Sequence, residues 1–446
     1  MTEISRAIDR KKNIIKTISV GAYAKLVGIL VSFTMVPISV DYLGIEQYGV
    51  WIAVSSLIAM LSFSDGGVGN ALVNMSAQSS GDHADGQLKS IVSTGFFVLL
   101  AIMLLGGAFF VLLYPVIPWD WVLGFSEGER VDEYLILILI AGLGFFVGMP
   151  VSVVGNIQRG LQLGNVEAFW SAKGQLLALL FVCIAIYLDL GIVGFACAYV
   201  SGPLVAALAN SGVYFFIRRK DLFPKLSLVQ TMEVKAVLGI GGLFFVLQMT
   251  AVIQSKADNV IIANMLGPSA VTPYAICMQL FLAVPMLMGL VWAPLWPAYR
   301  EALASGDVDW IKRVFFKSIK LALLVGLPAA VLLSAFGQQI ITLWVGESVM
   351  PSMLLLVGGA IWMLILIVGN AMAMLLNGLQ IIKIQIMVAL SASIINIGLT
   401  IWLINAIGME GAVYGSIISY VLCAVVPYYF LIPGLLRHHA GRVKES

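Results

Sequence analysis

Charged residues are scarce in this chain. Of its 446 residues only 11% are Asp, Glu, Lys or Arg, whereas 61% are apolar. Soluble domains carry about 25% charged residues, so these charges cannot cover a water-exposed surface of this size. The composition excludes a soluble globular protein, a disordered chain and a nucleic-acid binder. A polytopic membrane protein remains.

Cysteine and histidine are also rare, with four and three residues. The cysteines lie in apolar stretches, where we interpret them as small core residues of membrane helices: Cys183, Cys197, Cys277 and Cys423. No Cys or His spacing is typical of a metal site. We therefore expect no metal cofactor, and nothing in the sequence chooses between a coupling proton, a coupling sodium ion and no coupling ion.

Long apolar runs, in contrast, fill the chain. A transmembrane helix needs about 20 mostly apolar residues, and twelve runs meet this length. The predicted spans are residues 15–40, 47–74, 90–118, 134–158, 166–188, 191–216, 236–264, 270–298, 314–336, 351–377, 382–405 and 409–436. The segments between them are too short to form a domain. Function must therefore reside in the helix bundle or at its rims.

The distribution of Lys and Arg predicts the orientation in the membrane. If the N-terminus is cytoplasmic, nearly all of the 25 Lys and Arg residues fall in cytoplasmic tails and loops, including Arg218–Lys220. This agrees with the positive-inside rule. We expect an even number of spans and both termini in the cytoplasm.

The two halves of the chain repeat each other. The matched words are Leu43-Gly44 with Leu266-Gly267, Gly160-Leu161 with Gly378-Leu379, and Gly191 with Gly408. We predict an N-terminal six-helix lobe at residues 1–216, a basic cytoplasmic linker at 217–235, and a C-terminal six-helix lobe with a cytoplasmic tail at 236–446. Six spans per half place a pseudo-twofold axis along the membrane normal, which is typical of secondary transporters. The predicted fold class is an all-α membrane protein with twelve transmembrane helices in two six-helix lobes.

Four charged side chains lie deep inside predicted spans, away from the span ends: Lys25, Asp65, Lys256 and Asp258. Each costs about 2.5–3.5 kcal/mol on insertion scales, so such residues are functional candidates. Lys25 lies roughly 15 Å into the first span at helical rise, near the midplane. The alternatives are that Lys25 and Asp65 pair with each other, and that Lys256 extends towards the outer interface.

Further polar groups accompany these charges. Three glycines follow Asp65 before Asn70, which predicts a bend or break in the second span. Asn259 lies beside Asp258 in the seventh span. Arg159 and Arg300 lie at cytoplasmic span ends, as positive-inside anchors or as contacts for an anionic headgroup. A basic cavity favours a phosphate or diphosphate, and Asn, Gln and Ser favour hydroxyl-rich cargo such as sugars.

The first 75 residues resemble a known family. Tyr42-Leu43-Gly44, Tyr48-Gly49-Val50-Trp51 and Asp65-Gly66-Gly67-Val68-Gly69-Asn70-Ala71-Leu72 resemble the pattern YLG-x-x-x-YG-x-W followed by D-x-G-x-G-N-x-L. This pattern is found in Wzx-type oligosaccharide flippases of the polysaccharide transporter family, within the multidrug/oligosaccharidyl-lipid/polysaccharide exporter superfamily. Gly66 stands where a Leu is usual. Elsewhere the resemblance is mainly one of architecture.

The resemblance implies a flippase of the bacterial inner membrane. Its substrate would be an undecaprenyl-diphosphate-linked oligosaccharide for O-antigen, capsule or exopolysaccharide, moved from the cytoplasmic to the outer leaflet. Lys25 fits a diphosphate contact in this picture, and Asp65 and Asn70 match family-motif positions. Membrane lipids and the polysaccharide polymerase machinery are the implied partners.

Other functions remain as alternatives. A drug/cation antiporter of the multidrug and toxin extrusion type shares the fold but would favour net negative charge in its cavity, whereas Lys25 and Lys256 offset Asp65 and Asp258. A lipid II flippase would more often have fourteen spans. A glycan polymerase or ligase would need a sizeable outer loop with Arg or His, and the segment at 119–133 contains one Arg and no His. We therefore do not expect an enzyme.

Overall fold

The computed structural model describes residues 3–78, 84–125, 130–292, 294–379, 381–431 and 434, and these residues form helices and short connections without a strand. The helices of the first half are α1 Glu3–Met60, α2 Val68–Gln78, α3 Ala84–Leu113, α4 Trp119–Leu123, α5 Val131–Val151, α6 Val153–Gly160, α7 Gly164–Tyr187 and α8 Gly191–Gly212. Those of the second half are α9 Thr231–Leu266, α10 Pro268–Trp292, α11 Leu295–Ala304, α12 Val308–Val345, α13 Met353–Gly378, α14 Ile382–Ile407 and α15 Glu410–Tyr420. The predicted C-terminal tail lies outside the described residues.

Ten segments of the described chain are long and apolar enough to cross a membrane. One of them, Val20–Met60, contains most of the first predicted span and the first part of the second, which are separated where Gly44 leaves the helical conformation. The seventh predicted span coincides with α9, which is not among the ten. These two features account for the difference between ten segments and twelve predicted spans.

The outer surface has the polarity expected in lipid. Leu105, Leu112 and Leu343 are 73%, 72% and 88% exposed. Exposure of these leucines is unfavourable in water but not among lipid tails. Helices suit the lipid because they satisfy their own backbone hydrogen bonds. The chain is therefore a multi-pass membrane protein.

The second span is broken where the glycines predict it. After Met60 the chain continues as the short 3-10 helix Leu61–Asp65, and α2 begins at Val68. Gly66 and Gly67 have φ of 62° and 73°. Side chains with a Cβ rarely adopt this left-handed conformation, so the two glycines permit the break.

The internal repeat is also visible in the backbone. Gly44 and its counterpart Gly267 have φ of 74° and 87°, and Gly191 and its counterpart Gly408 have φ of 64° and 78°. Each pair thus has a glycine with positive φ at the same place between two helices. Equivalent turns at equivalent places support a duplicated six-span unit.

The chain divides into two compact units, which we call the N-unit and the C-unit. The N-unit comprises Met1–Leu43 and Val54–Val252, and the C-unit comprises Gly44–Ala53 and Ile253–Ser446. Inside the C-unit the segment after Gly44 packs against the start of α10, where the Thr272 hydroxyl donates to the Ile45 carbonyl at 2.6 Å. The lobe and linker boundaries predicted from the sequence stay a prediction beside this division.

Candidate functional site

Asp258 is the most deeply embedded carboxylate among the predicted site residues. It lies on α9 and is buried in the C-unit. Its Oδ2 accepts hydrogen bonds from the Tyr274 hydroxyl at 2.9 Å and the Ser416 hydroxyl at 3.1 Å. Its Oδ1 accepts from the Thr400 hydroxyl at 3.4 Å. Helices α9, α10, α14 and α15 thus converge on one carboxylate, whose burial is tolerated because hydrogen bonds replace its water.

Asn396 extends this cluster. Its amide Nδ2 donates to Ser416 Oγ at 2.9 Å and lies 3.4 Å from Thr400 Oγ1. Its Oδ1 is buried and has no hydrogen-bond partner among the described residues. Asn396 and Thr400 are four residues apart, so they lie on one face of α14. We call Asp258, Tyr274, Asn396, Thr400 and Ser416 the Asp258 cluster.

The chemistry of the cluster is that of one carboxylate among neutral oxygens. Such a group can take up a proton or hold a monovalent cation, and unpartnered oxygen such as Asn396 Oδ1 suits a hard cation. No group of three or more His, Cys, Asp or Glu that could hold a metal ion occurs within the described chain.

The neighbouring lysine on α9, Lys256, forms no ion pair with Asp258. Lys256 and Asn259 are half-buried, and Lys256 forms no ion pair with any described residue. Lys256 precedes Asp258 by two residues, which places the two side chains about 200° apart around the helix. The structure therefore does not bring this Lys and Asp together.

Asp65 lies at the break in the second span, and its carboxylate is used there. Its Oδ1 accepts from the Gly67 N–H at 2.8 Å and its Oδ2 accepts from the Gly69 N–H at 3.2 Å. Gly67 immediately precedes α2 and Gly69 lies in its first turn, where N–H groups have no helical partner. Asp65 is therefore a helix-capping residue, which is a structural role that the sequence did not predict.

At the same break, the backbone of α9 comes into close contact with Gly67. A Cβ added to Gly67 would lie 2.1 Å from the Gly241 carbonyl oxygen of α9. Both residues belong to the N-unit. Asn70 is half-buried one turn further along, and its carbonyl accepts from the Asn74 side chain at 3.0 Å. The glycines of the family motif thus allow backbone contact as well as the turn.

Arg159 is connected to Asp65 through two residues, Asn156 and Gly69. Its Nη2 donates to Asn156 Oδ1 on the same helix, α6. Asn156 is buried, and its Nδ2 would lie 3.1 Å from a Cβ added to Gly69. The structure thus brings Asp65, Asn70 and Arg159 into one neighbourhood of the N-unit, linked by Gly69 and Asn156.

Lys25 lies elsewhere in the N-unit, on α1, and is exposed. No ion pair between Lys25 and Asp65 occurs among the described residues. One turn later, a Cβ on Gly28 would lie 2.5 Å from Gln175 Oε1, so α1 packs closely on α7 at that level. Lys25 and Asp65 thus form no ion pair in this structure, and the small face of α1 is used partly for helix packing.

Arg300 lies near the end of α11 in the C-unit and is exposed. Its backbone N lies 3.5 Å from a Cβ built on Gly378 of α13. The equivalent glycine of the first half, Gly160, would meet the Ser76 hydroxyl of α2 at 1.9 Å. Arg159 and Arg300 thus lie beside equivalent close helix contacts in the two repeats.

Sequence reasoning missed the partners of Asp258. Tyr274, Asn396, Thr400 and Ser416 are ordinary polar residues in apolar spans, and none is charged. The available signal was the spacing of Asn396 and Thr400, which places two polar groups on one face of an apolar helix. Only the packing of four helices shows that this face meets Asp258.

The comparisons with known proteins agree with this architecture. Residues 12–299 match the family described as polysaccharide biosynthesis protein. A putative O-antigen transporter from Salmonella typhi is 23% identical over 411 residues, which cover 90% of this chain and 92% of the relative.

Two solved structures share the fold. The lipid II flippase MurJ, in an inward closed conformation, has a TM-score of 0.70 at 14% identity. The match covers 96% of this chain and 90% of the MurJ chain. An inward-facing multidrug resistance MATE family transporter of the MOP superfamily has a TM-score of 0.69 at 16% identity, covering 95% of this chain and 99% of its own. The predicted all-α membrane fold is confirmed. Because the matched segment spans more than half of the chain, this membrane transport protein belongs to the polysaccharide biosynthesis protein family.

Proposed function

We propose that the protein is a flippase for an undecaprenyl-diphosphate-linked oligosaccharide. It moves this substrate from the cytoplasmic to the outer leaflet of the bacterial inner membrane, with both termini cytoplasmic, and supplies envelope polysaccharide assembly. The observation that carries the proposal is the family match over residues 12–299, together with a relative named as a putative O-antigen transporter over 92% of its length.

The intramembrane cations support an anionic substrate. Lys25 is exposed on α1 and is not neutralised by Asp65, whose oxygens accept backbone hydrogen bonds. Lys256 has no acidic partner among the described residues. Because an unpaired Lys acts as a point charge for phosphate, we propose that Lys25 contacts the diphosphate and that Lys256 is a further substrate-binding residue.

The Asp258 cluster is the proposed site for a coupling ion. Asp65 is a weaker candidate, because both of its oxygens already cap α2. Asp258 has hydroxyl partners that can rotate, and Asn396 Oδ1 adds an oxygen without a hydrogen bond. A proton or a sodium ion fits this arrangement, and uptake of either would change the charge at the centre of the C-unit. Asp258 then acts in coupling rather than in substrate contact.

Complementation of a gene deletion in the native strain tests the function. Wild type, Lys25→Ala and Lys25→Arg are compared at matched membrane abundance, with Lys383→Ala as the control because Lys383 is exposed at the start of α14. We expect deletion to abolish surface polysaccharide and to leave lipid-linked precursor on the cytoplasmic side. Lys25→Ala should export poorly, whereas Lys25→Arg and Lys383→Ala should restore export.

A drug/cation antiporter is the second candidate, because a MATE transporter shares the fold and Asp258 offers a buried carboxylate. The same deletion strain separates the two functions. If the deletion strain keeps its surface polysaccharide and becomes sensitive to cationic drugs, the flippase proposal is refuted and the drug/cation antiporter takes its place. Full export by Lys25→Ala would refute the diphosphate contact while leaving the transport function in place.

A further inference from the structure

A cavity of about 490 Å³ lies wholly within the N-unit, between α6, α7 and the end of α8. A π-helical turn, Val213–Arg218, extends α8 at this point, and Val20 of α1 also lines the cavity. The volume falls in the range of about 300–1,000 Å³ that is usual for small-molecule sites. The predicted orientation places these helix ends at the cytoplasmic side of the membrane. We call this cavity the amide pocket.

Two buried amides form one wall of the pocket. Gln158 Nε2 donates to Asn210 Oδ1 at 2.9 Å, and Asn210 Nδ2 donates to Gln158 Oε1 at 3.1 Å. Gln158 is 1% exposed and Asn210 is 5% exposed. The reciprocal pair holds α6 against α8, so it gives the pocket a polar wall of defined shape.

The Tyr214 hydroxyl is the unsatisfied group of the pocket. Tyr214 lines the cavity and is 4% exposed. Its hydroxyl is buried and has no hydrogen-bond partner among the described residues. Buried hydroxyl groups normally have a partner, so a molecule in the pocket would supply what the protein does not.

The remaining wall combines aromatic rings with polar and positive groups. Phe169 and Trp170 line it, and the Lys173 ammonium lies 4.5 Å and 4.8 Å from their ring centroids. Gln162, in the turn between α6 and α7, and Asn165, in the first turn of α7, also line it. Arg218 completes the lining and forms no ion pair within the described part of the chain, whereas the adjacent Arg219 is bound to Asp221.

We propose that the amide pocket binds a sugar ring of the substrate glycan at the cytoplasmic side; this proposal rests on the flippase function proposed above. Amide and hydroxyl groups can donate to and accept from the vicinal hydroxyls of a sugar. An indole face matches the apolar C–H face of the ring. Lys173 and Arg218 favour a neutral or acidic sugar over a basic one. A lipid headgroup would use Arg218 alone and leave the aromatic and amide walls unused.

Saturation-transfer NMR on the purified full-length protein in lipid nanodiscs tests this binding. The probes are glucose, galactose, N-acetylglucosamine, rhamnose and glucuronate, with sn-glycerol 3-phosphate as the headgroup probe. We expect transfer to the ring C–H protons of at least one sugar. Trp170→Ala should weaken its binding by roughly tenfold or more, since truncation of a central aromatic anchor is costly. Tyr214→Phe keeps the ring and should weaken binding by roughly threefold to tenfold.

Trp402→Ala is the matched control, because Trp402 is 66% exposed on α14 of the C-unit. It should bind sugars like wild type, and the thermal midpoint of each variant checks its folding. The proposal is overturned if no sugar binds, or if Trp170→Ala and Tyr214→Phe bind as wild type does. Binding of sn-glycerol 3-phosphate alone, lost in Arg218→Ala, would also overturn it and indicate a headgroup site.

Complementation separates this proposal from the flippase function. If the deletion strain keeps its surface polysaccharide, the flippase function fails irrespective of the pocket. If deletion abolishes the polysaccharide while Trp170→Ala restores full export and binds sugars like wild type, only the pocket proposal fails.

Discussion

The Tyr274 hydroxyl donates a hydrogen bond of 2.9 Å to Asp258 Oδ2 and thereby joins α10 to α9 in the interior of the C-unit. Ser416 donates to the same oxygen at 3.1 Å. Hydrogen bonds to a carboxylate are about twice as strong as those between neutral groups. The interaction fixes the position of a carboxylate for which no described cation is an ion-pair partner.

Asp258→Asn should strongly reduce export at matched abundance. The substitution keeps the size of the side chain but removes the charge that a coupling proton or sodium ion would neutralise. Tyr274→Phe should have a smaller effect, because Ser416 and Thr400 still donate to the carboxylate. Asp309→Asn, at an exposed position of α12, is the control. Surface polysaccharide is measured, and the thermal midpoint is compared in sodium and choline chloride. Wild-type export by Asp258→Asn would refute the coupling role.

Gly49→Ala should destabilise the protein. The added Cβ would lie 1.9 Å from the Pro268 carbonyl oxygen and 3.1 Å from the Thr272 hydroxyl. Because the first contact is with backbone, relief requires helix displacement, at a cost of roughly 1–3 kcal/mol. Gly289→Ala on α10 meets no atom within 4 Å and should be neutral or slightly stabilising, since Ala favours helix more than Gly. Thermal midpoints in detergent compare the two, and equal midpoints would contradict the close approach.

Asp65→Ala should cost about 0.5–2 kcal/mol through loss of the helix cap. Asp65→Asn and Asp65→Ser keep an oxygen that can accept from the Gly67 and Gly69 N–H groups, so both should retain most stability and export. Thermal midpoints and surface polysaccharide are measured together. A stable but inactive Asp65→Asn would indicate that the charge itself is required, as in a proton or substrate contact.

Acidification should remove a small stabilisation at Asp221, which lies outside the membrane spans. Its hydrogen bonds from Arg219, at 3.0 Å and 2.9 Å, hold the pKa of Asp221 below its usual value. A lowered folded-state pKa contributes stability above the unfolded pKa of about 3.9, and this contribution is lost as the pH falls through the folded value. The effect is small because the pair is partly exposed. Thermal midpoints from pH 7 to pH 3 should therefore fall slightly less for Asp221→Asn than for wild type. Identical curves would contradict the assignment, and exposed Glu301→Gln is the control.

The sequence was most informative where a local pattern has a local cause. Apolar runs predicted the spans, since each span must satisfy its own backbone hydrogen bonds in lipid. The glycines after Asp65 predicted the break, because Gly adopts positive φ irrespective of its neighbours. Matched sequence segments in the two halves predicted the repeat. These are the parts of the architecture that the structure confirms.

The candidate sites depended on residues far apart in the chain. Asp258 could be identified as an unusual charge, but its partners Thr400 and Ser416 lie more than a hundred residues away. Asp65 was identified too, yet whether its carboxylate faces a cation or the backbone N–H groups of Gly67 and Gly69 depends on the geometry of the turn.

Composition and apolar periodicity thus determined that this is a polytopic helical membrane protein, because lipid imposes apolar side chains and internal backbone hydrogen bonds on every span separately. The duplicated half followed from matched sequence segments in the two halves. Only the tertiary structure decided which polar groups meet. The pairing of Gln158 with Asn210 shows the reason: each amide is an unremarkable residue in its own helix, and only the packing of α6 against α8 places them within 2.9 Å of each other.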